Sequence, residues 1–286
     1  MSTTVDPLTT LDDLLACEKL QQILLGDHAR SVLTAPTLAT IQRAGGLLLG
    51  AWEDSGSQRS LCGVLVDLVA EADGYPARFT AFLGVRPDSV NLGIAQSLRA
   101  AERTSHLEAG VDLVYWWSDP LSSSQSHIAF NKLASISAAH CRNALGPLDD
   151  RANSGLATDR LLVEWWINAP RVSAVIDEGR LPPHYGLGLD QMHVVTQTRR
   201  TPSGFRKLVG FDESPSKPFV LVEVPVNIEQ VRDEDVSCAR DWRLGARETF
   251  ELLFPLGYTI VGFVHEGGRS FHLLEHADRG SILGRP

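Results

Sequence analysis

The chain has 286 residues, of which 43% are hydrophobic and 21% charged, and its formal net charge is -9 at pH 7. The hydrophobic fraction excludes a disordered protein, and the acidic balance argues against a nucleic-acid partner, because duplex binding relies on lysine and arginine. No apolar run reaches the roughly 18 residues of a membrane span, and the acidic N-terminus is unlike a secretory signal. We therefore expect a cytoplasmic globular protein of one large or two small domains, without a membrane partner.

The cysteines and histidines favour neither a disulfide framework nor a metal site. Cys17, Cys62, Cys141 and Cys238 are widely spaced and form no CxxC pair. The nine histidines are scattered, without an HExxH or HxH pair among them. Metal sites usually show such ligand spacings, so we predict no bound metal and interpret the cysteines as small buried side chains.

The N-terminal part of the chain predicts two helices followed by three strands. Apolar residues recur at helical spacing in the first two segments, and the next three are apolar runs separated by polar or glycine-containing turns. These predicted elements are, in chain order, residues 10–25, 38–44, 47–52, 61–69 and 78–85.

A loop, a helix and an apolar strand come next. Residues 86–93 are a predicted loop with a proline near its start and Gly93 at its end. Helical periodicity begins at Ile94 and continues to Glu108, and Gly110 is placed to end the helix in a left-handed conformation. Residues 111–117 are almost wholly apolar, which indicates a central strand covered on both faces.

The C-terminal part predicts a strand, a long helix and a hairpin. Residues 219–224 form an apolar run, and apolar residues recur at spacings of three and four over residues 239–253. Residues 258–264 and 270–274 flank a Gly-Gly turn and predict a hairpin.

A short basic cluster precedes these elements. Arg199, Arg200, Arg206 and Lys207 flank a Thr-Pro-Ser-Gly turn. Because the cluster is so short, we interpret it as a solvated hairpin rather than as a nucleic-acid site.

A strand that feeds a helix through a loop forms an anion site when the loop lets a ligand approach. The first N–H groups of a helix have no intrahelical partner, and the helix dipole favours negative charge there. Gly93 would let the backbone come close to a pyrophosphate. Most strand-to-helix connections bind nothing, so this pattern alone favours an ordinary connection.

Two segments around this loop resemble motif A of the Gcn5-related N-acetyltransferase (GNAT) superfamily. They are Leu-Gly-Val-Arg-Pro at residues 83–87 and Leu-Gly-Ile-Ala at residues 92–95. The chain is similar over most of residues 46–274 to a long, uncharacterised branch of that superfamily. The further segments that carry this resemblance are residues 116–121, 132–133, 158–165, 222–225, 241–243, 247–250 and 257–258.

The resemblance implies a fold and a division of the chain. The expected fold class is α/β or α+β, a GNAT-like mixed and mainly antiparallel sheet flanked by helices, with a second GNAT-like half at the C-terminus. Residues 1–150 would form an acyl-CoA-binding lobe. Residues 151–286 would form a second lobe that completes the acceptor pocket.

The resemblance also implies where a coenzyme A thioester would bind. The backbone amides of Asn91, Gly93, Ile94 and Ala95 would hold the pyrophosphate. The edge of the preceding strand would pair with the pantetheine arm, and an amide there would hold the thioester oxyanion. The residues implied at that edge are Leu83 and Val85, and Gln125 stands where the family usually has an asparagine after its fifth strand.

The sequence departs from the family pattern at further points. In the loop, Asn91 stands where this branch usually has glycine, and Leu92 stands where it often has arginine. Val90 stands where the motif has arginine or glutamine, which removes a cation from the pyrophosphate loop. Many members protonate the departing thiolate with a tyrosine, but the chain has none between Tyr115 and Tyr185.

Two residues are candidates for the catalytic chemistry. Asp119 could act as a base or substrate anchor, or it could be a turn carboxylate before Pro120. His127 could titrate near neutral pH, or it could be an ordinary surface or packing histidine.

Three functions follow from the resemblance. The first is an acyl-CoA-dependent N-acyltransferase acting on a small amine or amino-acid acceptor, with acetyl-CoA or succinyl-CoA as co-substrate. The second is a repurposed enzyme of secondary metabolism with an altered carrier or reaction, and the third is a non-catalytic ligand-binding protein. Homo-oligomerisation is left open.

Overall fold

The computed structural model describes residues 2–26, 29–55, 58–72, 74–90, 92–148, 153, 155–181 and 192–284. The chain divides into two units, Met1–Trp116 with Asp149–Arg151 and Trp117–Leu148 with Ala152–Pro286. The main division therefore falls between Trp116 and Trp117, whereas the sequence placed a boundary after residue 150.

The first unit is a five-stranded sheet in the order β1-β2-β3-β4-β5, with helices packed against it. Its neighbouring strands are antiparallel except β4 and β5, which are parallel. The strands are β1 (Ser2–Pro7), β2 (Leu47–Ser55), β3 (Gln58–Ala72), β4 (Tyr75–Val85) and β5 (Leu113–Ser118). The helices are α1 (Leu11–Leu25), α2 (Ala35–Arg43) and α3 (Ile94–Glu108).

The helices of the first unit lie on opposite faces of this sheet. Successive residues of a strand point to opposite faces. Val64 and Val66 of β3 pack in one hydrophobic cluster with α1 and α2, and Leu65 between them packs in a second cluster with Ile94 and Leu98 of α3. Alternation along one strand thus fixes which helix covers each face.

The second unit contains a six-stranded sheet in the order β7-β6-β12-β13-β11-β8 and a separate hairpin, β9–β10. The sheet strands are β6 (Ile136–Cys141), β7 (Arg160–Trp166), β8 (His193–Val194), β11 (Phe219–Val224), β12 (Tyr258–Glu266) and β13 (Arg269–His276), and the hairpin is β9 (Thr196–Arg200) with β10 (Arg206–Phe211). The helices are α4 (Ser123–Ser126), α5 (Pro170–Ile176), α6 (Ile228–Glu234), α7 (Val236–Leu253) and α8 (Arg279–Leu283), and a π-helical turn spans His127–Lys132.

Helix α7 supports the separate hairpin. The indole N–H of Trp242 donates a 2.7 Å hydrogen bond to the carbonyl of Arg206. A Cβ atom at Gly245 would lie 2.6 Å from Cδ2 of Leu208, so only glycine lets β10 approach the helix this closely. The predicted solvated hairpin is therefore packed along one side.

The predicted fold class is confirmed, since the sheet of each unit is largely antiparallel and is flanked by helices. The predicted C-terminal order of strand, helix, strand and strand is present as β11, α6 with α7, β12 and β13. The sequence did not predict β1, whose side chains are mostly polar and which pairs with β2. No helix in the described part of the chain is long and apolar enough to cross a membrane.

Candidate functional site

Strand β4 carries a bulge at Ala81. Val66 of β3 pairs with Phe82, and the next residue, Asp67, pairs with Thr80, which leaves Ala81 without an opposite residue. A bulge bends its strand and re-aims the groups that follow it. Ala81 is exposed even though β4 lies between β3 and β5 in the sheet.

The amide groups of Leu83 and Val85 point away from β3. The N–H of Arg86 donates to the carbonyl of Cys62 at 2.8 Å, so these two residues form a hydrogen-bonded pair. Hydrogen-bonded and non-bonded pairs alternate along an antiparallel ladder. Leu83 and Val85 therefore occupy non-bonded positions towards β3, and their N–H groups face the other edge of β4.

That other edge of β4 is open. Residues 77–79 pair in parallel with residues 113–115 of β5. Within the described residues of the first unit, no β4–β5 pair continues beyond Phe79. An open strand edge with alternating N–H and C=O groups can pair with an extended ligand. The edge that contains Leu83 and Val85 can therefore accept such a ligand.

Ion pairs fix the loop that follows β4. Arg86 donates to Glu53 at 2.6 Å, to Asp88 at 2.5 Å and to the hydroxyl of Ser89 at 3.2 Å. The Ser89 hydroxyl in turn donates to Glu53 at 3.0 Å. The Arg86 guanidinium thus holds the loop in shape through its acidic partners.

The loop ends in the left-handed turn that starts α3. Gly93 has φ 77° and is the N-cap of the helix, with no side chain to accept a hydrogen bond. The first turn of α3 contains no acidic residue. The N–H groups of Ile94 and Ala95 at this helix start are therefore oriented for an anionic ligand. Ile94 also packs in the core, which fixes the helix start against the sheet.

The strand, loop and helix start thus bring five of the predicted ligand-binding residues onto one continuous segment. They are Leu83, Val85, Gly93, Ile94 and Ala95. Asn91, the fourth residue predicted to hold the pyrophosphate, lies outside the described residues. Val90 and Leu92 beside it are both exposed apolar side chains, so an anion at this place would be held by the backbone.

A buried polar cluster lies between α3 and the sheet, and sequence reasoning missed it. Thr80 donates to Glu102 at 3.0 Å, and Arg99 donates to the two oxygens of Glu102 at 2.9 and 2.8 Å. His106 Nε2 lies 2.8 Å from a carboxylate oxygen of Asp67. We call Asp67, Thr80, Arg99, Glu102 and His106 the α3 polar cluster.

Burial controls the protonation of the α3 polar cluster. Burial raises the pKa of Glu102 to about 8, although Arg99 opposes this shift. Burial also raises the pKa of Asp67 and lowers that of His106 to about 4. The nearby negative charge of Asp67 also raises the pKa of Glu102. At neutral pH the cluster therefore contains a protonated Glu102 and a neutral His106.

The α3 polar cluster also brings together three groups of a metal-ligating kind. One ligand atom from each of Asp67, Glu102 and His106 lies within 4.8 Å of the others. The Arg99 guanidinium already bonds both Glu102 oxygens, and its positive charge favours the ionised form of Asp67. It also lies over the Trp116 ring, 4.1 Å from the ring centroid. We therefore assign the cluster as an ion-pair and hydrogen-bond network that joins α3 to β3, β4 and β5.

Asp119, a predicted catalytic residue, lies in the second unit as part of an ion pair. Arg243 bonds its two carboxylate oxygens at 2.8 and 2.7 Å, and the N–H of Leu121 donates to it at 2.8 Å. Burial alone would raise the pKa of Asp119, but Arg243 holds it below its ordinary value. The carboxylate is therefore an ionised structural group, and its engaged oxygens do not provide a general base.

His127 and Gln125 lie in the second unit as well, and both are exposed. The Asn131 side-chain amide donates to the carbonyl of Phe263 at 2.6 Å and accepts from its N–H at 2.9 Å, which fixes the amide orientation. Its nitrogen lies 3.1 Å from His127 Nδ1, so Nδ1 accepts and the ring proton is on Nε2. Partial burial lowers the pKa of His127, which is neutral at pH 7. Gln125 accepts from Ser118 at 3.4 Å.

No protein-family model and no curated protein sequence matches the chain. Among solved structures, it is similar to the ribosomal-protein-S18-alanine N-acetyltransferase from Escherichia coli, with 16% identity, a TM-score of 0.46 and coverage of 58% of this chain and 94% of the other. It is also similar to an acetyltransferase of the GNAT family from Desulfovibrio desulfuricans, with 11% identity, a TM-score of 0.43 and coverage of 58% and 99%. A third is the NatC complex bound to Gag peptide and CoA, with 12% identity, a TM-score of 0.45 and coverage of 57% and 98%. The Desulfovibrio desulfuricans protein is described as a member of the GNAT family, the superfamily that the sequence resembles.

Proposed function

We propose that the chain is an acyl-CoA-dependent N-acyltransferase that acts on a small amine or amino-acid acceptor, with acetyl-CoA or succinyl-CoA as donor. One observation carries the proposal. The open edge of β4, with the amides of Leu83 and Val85, leads through a fixed loop into the uncapped start of α3 at Gly93.

The parts of this segment match the parts of a coenzyme A thioester. The pantetheine arm is extended and contains amide groups, so it can pair with an open strand edge. The pyrophosphate is an anion, and the N–H groups of Ile94 and Ala95 are donors at the positive end of a helix. The bulge at Ala81 marks the point along β4 from which this open edge begins.

Acyl transfer joins the acceptor nitrogen to the thioester carbon and breaks the carbon–sulfur bond, and the acceptor loses a proton while the thiolate gains one. Negative charge develops on the carbonyl oxygen, and the N–H of Leu83 or Val85 would donate to it. In the first unit, the side chains of the α3 polar cluster are buried and hydrogen-bonded to one another. In our proposal the acceptor proton therefore passes to water.

The exposed apolar side chains of Val90 and Leu92 favour a second candidate. A loop without a free cation holds phosphate less strongly than one with an arginine at position 90. This observation favours a repurposed enzyme with another thioester carrier, or a non-catalytic ligand-binding protein.

A binding series distinguishes the acyl-CoA-dependent enzyme from these alternatives. Calorimetric titration with CoA and with pantetheine compares ligands that differ by the nucleotide and its phosphates. We expect CoA to bind at least about tenfold more tightly, which corresponds to ~1.4 kcal/mol. Equal affinities for CoA and pantetheine would favour another thioester carrier. Binding of neither ligand would favour the ligand-binding candidate.

Activity is tested separately from binding. Incubation with acetyl-CoA or succinyl-CoA and a panel of amines and amino acids should release free thiol in an acceptor-dependent way. CoA binding without thiol release for any donor and acceptor would contradict the enzyme proposal.

A further inference from the structure

The second unit contains a cavity of about 220 Å³ near the carboxyl end of β11. Its walls come from the β9–β10 hairpin, the turn before β13 and the segment that follows β11. Phe205 and the exposed Val226 supply apolar surface to this cavity. We call it the β11 cavity.

Three arginines line the β11 cavity together with one buried carboxylate. Glu223 has a side chain only 2% exposed, and Arg269 donates to it at 2.9 Å through Nε and at 2.5 Å through Nη2. Nε of Arg206 lies 3.0 Å from the same carboxylate, and Thr198 donates to it at 2.7 Å. Glu223 therefore fixes two guanidinium groups in the cavity wall.

Each of these two guanidinium groups retains N–H donors that can bind a ligand. The side chains of Arg206 and Arg269 are 32% and 35% exposed. Arg269 uses Nε and Nη2 to contact Glu223, whereas Arg206 uses Nε to contact Glu223 and donates from Nε and Nη2 to Thr198, so the described contacts leave Nη1 of both groups for a ligand. The third arginine, Arg200, is exposed, and the described part of the chain offers it no hydrogen-bond or ion-pair partner. Each of the three can therefore donate to a group placed in the cavity.

The charge of the β11 cavity opposes that of the chain. Its three arginines and Glu223 leave an excess of two positive charges, whereas the chain has a net charge of -9. Positive charge in a concave, partly apolar site attracts a small anion more strongly than the same charge on a flat surface. The planar guanidinium group matches a carboxylate through parallel N–H donors.

We propose that the β11 cavity binds a small organic carboxylate. Its carboxylate is held by Arg200 with the free N–H groups of Arg206 and Arg269, and its apolar part lies against Phe205 and Val226. Because Glu223 already fixes two of the three arginines, binding orders few additional side chains. This proposal uses only residues of the second unit and does not depend on the proposed acyltransferase activity.

Calorimetric titration of the full chain with benzoate, hexanoate and indole-3-acetate tests the proposal. Benzamide has the shape of benzoate without its charge, and inorganic phosphate has the charge without an apolar part. We expect at least one carboxylate to bind, at least about tenfold more tightly than both benzamide and phosphate. Failure of all three carboxylates, or equal binding of benzamide or phosphate, would overturn the proposal.

Two matched variants locate the site. Arg200→Gln should weaken carboxylate binding about tenfold or more. Arg199→Gln removes the same charge from the neighbouring residue, which points to the opposite side of β9 and lines a different cavity with Lys207 and Leu208. It should leave the affinity nearly unchanged. Equal losses in the two variants would mean that only the net charge matters, and no loss in Arg200→Gln would place the carboxylate elsewhere.

Discussion

Thr80 Oγ1 donates a 3.0 Å hydrogen bond to Glu102 Oε1, which joins β4 to α3 one residue before the bulge at Ala81. Arg99 donates to the same Glu102 oxygen at 2.9 Å. The strand with the open edge and the helix that begins at the Gly93 turn are thus connected through the buried Glu102 carboxyl group.

The Gly93 turn should be essential for CoA binding. A Cβ there would meet only Gln96 Oε1, at 3.9 Å, so the strain of Gly93→Val comes from its φ of 77° and not from crowding. Relief of that strain would move the first amides of α3, so we expect CoA affinity to fall about tenfold or more, ~1.4 kcal/mol, by calorimetry.

Gly110 provides the matched control for this variant. It lies just after the other end of α3, with φ 69° and no atom within 4 Å of an added Cβ. Gly110→Val should therefore lower stability in a similar way while leaving the CoA affinity intact. An unchanged affinity in Gly93→Val would mean that the loop is only a connection.

A cation at position 90 should strengthen the site. Val90→Arg adds a positive charge beside the helix start, and we expect tighter CoA binding with the gain largest at low salt. Val69 is an equally exposed valine near the C-terminal end of β3. Val69→Arg adds the same charge there and should have little effect on CoA binding. Equal gains in the two variants would show that only the net charge had changed.

Glu102 should give the stability of the protein a pH dependence above neutrality. Its pKa of about 8 in the folded chain exceeds the ordinary value of 4.5, so the folded state retains a proton that the unfolded state has lost. The resulting stabilisation is complete below about pH 4.5 and is lost as the pH rises through 8. His106, with its pKa lowered to about 4, acts oppositely, because its contribution is lost as the pH falls from 6.5 to 4.

Thermal unfolding between pH 6.5 and 9 isolates the effect of Glu102. We expect the midpoint of the native chain to fall over this range. Glu102→Gln cannot lose a proton at this position and should reduce the fall. Glu108→Gln changes an exposed glutamate of the same helix and should leave the fall of the midpoint unchanged. An equal slope in Glu102→Gln and the native chain would contradict the assigned proton.

Asp119 should matter for stability and not for acid–base chemistry. Asp119→Asn leaves Arg243, whose side chain is 3% exposed, without its charged partner, and breaking such a pair costs about 3–5 kcal/mol in unfolding free energy. Asp241→Asn breaks a half-exposed pair with Lys207 and should cost below about 1 kcal/mol. Denaturant unfolding measures both. Full stability of Asp119→Asn, with activity lost, would restore Asp119 as a base.

The donor segment was predictable because its signals are local. The apolar run of β4, the loop with Gly93 and the periodicity from Ile94 are all contained in about 30 consecutive residues, the usual length of a supersecondary motif. The open edge itself was implied only by resemblance, since pairing beyond Phe79 depends on a strand that begins at Leu113.

The charged groups were not predictable in the same way. The helical periodicity from Ile94 gave no sign that Glu102 and His106 are buried, which is possible because Thr80 and Asp67 on separate strands bond them. Asp119 likewise finds its partner 124 residues away. Such partners are set by tertiary packing, and one sequence contains no local sign of them.

Amide hydrogen exchange on β4 tests the central claim most directly. If the pantetheine arm pairs with the open edge, CoA should slow exchange at Leu83 and Val85 by about tenfold or more, since their N–H groups gain a partner. Phe82 and Gly84 already face β3 and should change little, which makes them controls within the same strand. CoA binding that leaves Leu83 and Val85 unprotected would contradict the account.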